Sequence, residues 1–136
     1  MSGTNKAVFL GVRGSAPVSG KDFLKYGGQT SCVFLKLGDT NIILDAGSGI
    51  SHAASYIPKG GEVSVLISHP HLDHLLGLPS FSLLYQSDCK ISFYAKPRNS
   101  LSAKEQLSLV LSAPLWPVDI GNLVSDVRFN DISGDF

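Results

Sequence analysis

Val63-Ser64-Val65-Leu66-Ile67-Ser68-His69-Pro70-His71-Leu72-Asp73-His74 is an apolar run that stops at three imidazoles and a carboxylate. The run 63–67 is short, rich in Val, Leu and Ile, and preceded by Gly60-Gly61, which reads as a strand covered on both faces. Histidine is a common ligand of zinc and other divalent transition metals. Alternating residues after a strand project His69 and His71 toward one point, and Asp73 and His74 then turn toward a neighbouring point. Three of the chain's four histidines fall here, and neutral imidazoles crowded at a strand end are costly unless something ligates or hydrogen-bonds them. A solvated histidine-rich loop, or rings capping the next helix, is the plainer alternative. The density of ligand types at a strand-to-helix junction favours the metal.

Outward from this stretch the chain alternates strands and helices. Upstream, residues 7–12 read as a buried strand, followed by a long turn-rich loop to about Gly28. Residues 32–37 and 41–46 are β-rich runs separated by Gly38-Asp39-Thr40, a connection suited to a hairpin. Ile50, Ala53, Ala54 and Ile57 form one apolar stripe at helical spacing, closed by Pro58. Downstream, Pro79 is placed to open a helix carrying Leu83, Leu84 and Tyr85. Residues 91–95 return as a strand. Ser102 and Glu105 make a capping box for a helix over 102–112, and residues 127–129 begin a last strand. The order argues α/β, with too few elements to cover both faces of the sheet. Either a second half follows, or the chain must associate to hide its apolar strands.

The 136 residues suit one domain, 1–136. Eleven basic residues balance eleven acidic ones, so no overall field draws the protein to nucleic acid or to an anionic membrane. No stretch reaches membrane-spanning length, and the apolar run 7–12 is too short for a secretory signal. Cys32 and Cys89 show no metal-knuckle or redox spacing and read as buried free thiols, which with no export signal places the protein in a reducing cytoplasm.

The His69-x-His71-x-Asp73-His74 pattern after an apolar strand resembles the metallo-β-lactamase superfamily. That resemblance implies a four-layer αββα sandwich, of which this chain is the N-terminal half: a mixed sheet with helices on one face. It implies His69 and His71 as ligands of one metal and Asp73 and His74 as ligands of a second. Asp73 and His74 also stand as the catalytic pair. Asp45, in the turn 44–50, matches an Asp that the family commonly places beneath the metals; it either orients an imidazole through its other N–H or caps the following helix.

Narrower similarity lies in Gly11-Val12-Arg13-Gly14-Ser15 and Tyr26-Gly27-Gly28-Gln29-Thr30-Ser31-Cys32. These resemble the phosphodiesterase branch: phosphoribosyl cyclic phosphodiesterases, cyclic-nucleotide-degrading enzymes and, more distantly, tRNA 3′-end-processing nucleases. Gln29 departs from the Asn common there. Arg13, Gly14, Ser15, Gln29 and Thr30 are thereby substrate-binding candidates, since glycine-rich backbone approaches phosphate closely, although these glycines also suit ordinary turns. Trp116, between Pro114 and Pro117, is either a pocket wall against a base or a core anchor. His52 reads as a solvated helix-face residue.

The relatives complete both metal sites with ligands further along, including a bridging Asp and two more histidines. No histidine follows His74; Asp88, Asp119, Asp126, Asp131 and Asp135 do, none in a matching context. The expectation is a truncated metal-dependent hydrolase. It takes small cyclic or nucleotide phosphodiesters and uses two divalent ions (zinc first, manganese or iron otherwise) to activate water, with partial or no metal occupancy and little turnover in this chain. Nucleic acid is a less favoured substrate, for want of a basic stripe. The alternatives are a thioester, lactone or lactam hydrolase of the same fold, and a non-catalytic remnant that folds as a homo-oligomer or assembly subunit.

Overall fold

The computed structural model describes residues 3–134. Six strands form one mixed sheet whose spatial order is the chain order. They are β1 (Lys6–Gly11), β2 (Cys32–Leu37), β3 (Thr40–Leu44), β4 (Glu62–Ile67), β5 (Lys90–Ala95) and β6 (Asp126–Asp131). The first three are antiparallel neighbours, and β3 to β6 run parallel. The expected hairpin is present: Leu37 pairs with Thr40 across a two-residue turn in which Gly38 takes φ 58, a left-handed conformation glycine adopts without steric cost.

Parallel neighbours require crossover connections, and these are right-handed in nearly all proteins. Three successive crossovers stepping in one direction therefore lay their helices on one face. The 3-10 helix Ser48–Tyr56 packs there against β1 and β2, and the α-helix α1 (Ala103–Ser108) against β5 and β6. The row Val8, Phe34, Ile43, Val65, Phe93 and Phe129 faces these helices. Phe34, Ile43, Val65 and Phe93 in this row are at most 1% exposed, and Phe93 stacks on Phe129 at 5.7 Å.

The opposite row is Phe9, Val33, Leu44, Leu66, Tyr94 and Asn130. No element among the described residues covers it; Phe9 is 71% and Leu66 37% exposed. Two expectations are corrected here. Residues 6–11 are an edge strand with five exposed or half-open positions rather than a buried one, and β4 is covered on one face, not two.

The helices also differ from their sequence signals. Ile50, Ala53 and Ile57 are buried as the stripe predicts, but the segment winds as a 3-10 helix. Ser51 and Ser55 turn their hydroxyls back to the carbonyls of Ser48 and His52, three residues earlier, the local competition that makes serine a poor α-helix former. The Leu-rich segment is two short 3-10 helices, Leu78–Ser80 and Ser82–Tyr85, split at Phe81, whose backbone is extended. The Ser102–Glu105 capping box is present in both directions, yet α1 ends at Ser108. Beyond it Leu109 and Val110 bond three residues back, to Gln106 and Leu107, so the last turn tightens.

Candidate metal centre

Parallel strands in register end together. Leu44 pairs with Leu66 and Ile67 with Ala95, so the loops leaving β3, β4 and β5 emerge side by side at the carboxyl edge of the sheet, where ligands bind in open α/β sheets. The loop after β3 carries Asp45. Its N–H bonds the Leu66 carbonyl at 2.8 Å, in a left-handed backbone conformation (φ 62). The loop after β4 carries the histidines.

Backbone bonds lock these two loops together. Ala46 N–H donates to His74 carbonyl at 2.9 Å, and Gly77 N–H to Ala46 carbonyl at 3.0 Å. Gly47 lies in the crossing: a Cβ there would stand 2.5 Å from the Asp73 carbonyl and from Thr30 Oγ1. Only glycine fits so close an approach.

The four motif side chains converge. His69 Nε2 and His71 Nδ1 are 3.0 Å apart, and the His69 ring centroid lies 4.4 Å from that of His71 and 4.1 Å from that of His74. His74 Nε2 stands 3.6 Å from Asp73 Oδ2. Behind them, Asp45 Oδ1 accepts from Ser68 N–H at 2.8 Å, and Ser68 Oγ lies 2.8 Å from Asp45 Oδ2 and 3.0 Å from His69 Nδ1. Asp45 Oδ2 is also 2.8 Å from His74 Nδ1. That approach is close but poorly directed, and the buried His74 Nδ1 has no aligned hydrogen bond. Asp45 caps no helix: the cap position before Ser48–Tyr56 is Gly47, with no side-chain bond.

Electrostatics follow the geometry. Burial, then the neighbouring His74 and His71, lower the pKa of His69 below its ordinary 6.5, which keeps a ring lone pair available. The Ser15 N–H, donating to Asp73 Oδ2 at 3.0 Å, is the main influence holding that carboxyl below its ordinary 3.8.

The residues can be tested against a divalent ion by their donors. Metal–nitrogen bonds of 2.0–2.1 Å in a tetrahedral sphere put neighbouring donor atoms roughly 3.3 Å apart. The His69–His71 and Asp73–His74 separations bracket that spacing. Each pair fits half a coordination sphere, and among the described residues no group of three or more such side chains is placed to hold one ion. The downstream aspartates are engaged elsewhere: Asp131 accepts from the Ala103 N–H at the start of α1, Asp119 from Ala113 N–H, and Asp126 lies 3.7 Å from Arg128. Asp135 lies outside the described residues.

Of the proposed substrate residues, Ser15 reaches the cluster through its N–H, and Gly14 beside it is exposed. The others stand in structural roles. Arg13 Nε donates to the Ala16 carbonyl, and its guanidinium lies over Phe23. Gln29 carbonyl accepts from Arg13 N–H. Thr30 is fully buried and exchanges bonds with Ser48. Trp116 donates its indole N–H to Tyr85 Oη at 3.0 Å and packs against the core, the anchor alternative. His52 is exposed. Sequence reading missed Ser68, Arg98 and Asn99, which with His69, Pro70 and His71 line a cleft of about 640 Å³.

The family model of the Metallo-beta-lactamase superfamily matches residues 26–86. Ribonuclease Z of Natronomonas pharaonis is 30% identical over 127 residues, 89% of this chain and 38% of that protein. Among solved structures, the metallo-beta-lactamase fold protein YhfI from Bacillus subtilis superposes with a TM-score of 0.64 at 18% identity, covering 97% of this chain and 46% of that one. Human tRNase Z, short form, gives 0.59 at 20% identity, covering 91% and 44%. The chain thus spans less than half the length of these relatives.

Proposed function

Because this chain has the metallo-β-lactamase fold and is homologous to ribonuclease Z, we propose that the complete protein is a metal-dependent hydrolase of phosphodiesters. The observation that carries the reading is the meeting of two donor pairs, His69 with His71 and Asp73 with His74, at the carboxyl edge of the sheet. In this assignment His69 and His71 hold the first ion, and Asp73 and His74 the second. Two divalent ions, zinc foremost, supply Lewis acidity and a nucleophile at neutral pH.

The chain's own residues prepare that site. Asp45 fixes the loop through Ser68 and stands 2.8 Å behind the His74 ring, the position from which a carboxylate orients a metal-bound histidine. Ser15 N–H keeps Asp73 ionised, and lowered basicity keeps His69 neutral. Two protein donors per ion leave half of each tetrahedral sphere open, so this chain alone binds metal weakly and turns over little.

A small cyclic or nucleotide phosphodiester is the substrate proposed first. The names of two relatives, ribonuclease Z and tRNase Z, support a nucleic-acid phosphodiester as the wider class. The buried free thiols of Cys32 and Cys89 suit a cytoplasmic setting, and no described helix is long and apolar enough to cross a membrane. The uncovered sheet face favours a second reading, in which the chain is one component of a homo-oligomer or larger assembly.

The test is metal analysis and a substrate panel on the complete gene product. Bound zinc, manganese or iron, with chelator-sensitive hydrolysis of bis(p-nitrophenyl) phosphate, is expected. A protein free of metal and indifferent to chelator overturns the reading; preference for thioesters or lactones moves it to carbonyl chemistry.

A further inference from the structure

We propose that Arg98, held at the rim of the histidine cluster by the loop 96–101, is the residue that binds a phosphate oxygen of the substrate; the proposal rests on the phosphodiesterase reading. Arg98 lies 30 positions from Ser68 in the chain, yet its Nη2 reaches the Ser68 carbonyl at 3.5 Å. The parallel register explains this, since Ile67 pairs with Ala95 and the chains leaving β4 and β5 run out together. Arg98 lines the cleft that holds His69 and His71, and it also borders a second cleft of about 510 Å³ that contains Asp45 and Ser68.

The loop that presents it is built to a fixed shape. Arg98 and Leu101 exchange backbone bonds at 3.1 and 2.8 Å around Asn99 and Ser100, both in left-handed conformation with φ 51 and 62. Non-glycine residues rarely sit there, and where they do the surroundings hold them. Gln106 supplies that hold. It is 1% exposed, and its side-chain amide donates to both the Lys96 and the Leu101 carbonyl at 3.0 Å, closing the base of the loop from α1. A buried polar side chain spent on one exposed hairpin places its arginine with little freedom to wander.

The charge of Arg98 is uncompensated. Among the described residues no carboxylate lies within ion-pair distance of it. Asp45, which lines the second cleft with Arg98, has other partners in Ser68 and His74, and Asp131 serves Ala103. Lys96 shares the second cleft and adds to the positive side. A planar, always-charged fork beside the His69–His71 pair suits a tetrahedral oxyanion, which arginine engages through two parallel N–H donors.

Calorimetric titration of the chelator-treated protein with inorganic phosphate tests the site directly. Arg98→Ala is expected to weaken binding about 10- to 100-fold, the worth of a charge-assisted hydrogen bond. Arg98→Lys recovers part of it, and Arg128→Ala, an exposed cation on β6, leaves it unchanged. On the complete gene product Arg98→Ala raises KM for bis(p-nitrophenyl) phosphate far more than it lowers kcat. Equal phosphate affinity in wild type and Arg98→Ala, or no measurable binding by wild type, overturns the inference about Arg98 even if hydrolysis is present. A wild type that binds phosphate through Arg98 yet hydrolyses no phosphodiester keeps the anion site and overturns the reading beneath it.

Discussion

Asp45 shows how much one carboxylate carries. It accepts from the Ser68 amide and hydroxyl and lies against His74 Nδ1, so a neutral substitute keeps the shape and loses the charge. Asp45→Asn is expected to lower zinc affinity roughly 10- to 100-fold, read by competition with a chromophoric chelator; an unchanged affinity removes Asp45 from the site. His69 makes the pH prediction. Its folded pKa lies below the ordinary 6.5, so the unfolded chain binds the proton more tightly. Stability is therefore full above about pH 6.5 and falls as pH drops below it. Melting the metal-free protein between pH 7.5 and 5.5 should show that fall, and His69→Gln should flatten it. The four motif residues were legible because they lie within six positions of one another, and Asp45 because a known pattern marks it. Ser68 and Arg98 were not, because their meeting depends on the register of β4 against β5, which no local signal encodes.

Elements were legible where one local rule decides and misread where rules compete. Ser102 and Glu105 satisfy two otherwise orphaned amides at the start of α1, and Ser102→Ala is expected to cost about 1 kcal/mol in denaturant unfolding. The apolar stripe at Ile50, Ala53 and Ile57 marked a buried face correctly but could not reveal that back-bonding serines would tighten the winding. Contact between loops was invisible in the sequence, and Gly47 depends on it. A methyl at Gly47 meets the Asp73 and Ser31 carbonyls and Thr30 Oγ1, all within 2.6 Å. Because two of the three are backbone, relief requires the loop after β3 to part from the loop carrying Asp73 and His74. Gly47→Ala should therefore cost at least about 1–3 kcal/mol and weaken zinc binding in parallel, whereas a purely local strain would change the unfolding midpoint alone.

At the scale of the whole molecule, the sheet has one face under its helices and one bare. β4 looked like a strand covered on both sides because Val63, Val65 and Ile67 alternate with Leu66 as well as Ser64. Apolar residues on both faces record what the strand is shaped to touch, and the second layer is not supplied by the described residues. Leu66 and Tyr94 are neighbours on the bare face, with Ile42 and Ile132 bordering the same shallow cleft. Leu66 is 37% exposed, so covering the remainder is worth roughly 0.5–1 kcal/mol, a third of the value for a whole side chain, and a row of such residues sums to enough to draw two such faces together. The 136-residue chain is therefore expected to self-associate at micromolar concentration in light scattering after size exclusion. Leu66→Lys with Tyr94→Lys should return it to monomer, because buried lysines on the shared face would carry unpaired charge. The same pair leaves the helix-covered row intact, so circular dichroism should be preserved. A wild type that is monomeric and binds no apolar dye would mean that the bare face is stable in water as it stands.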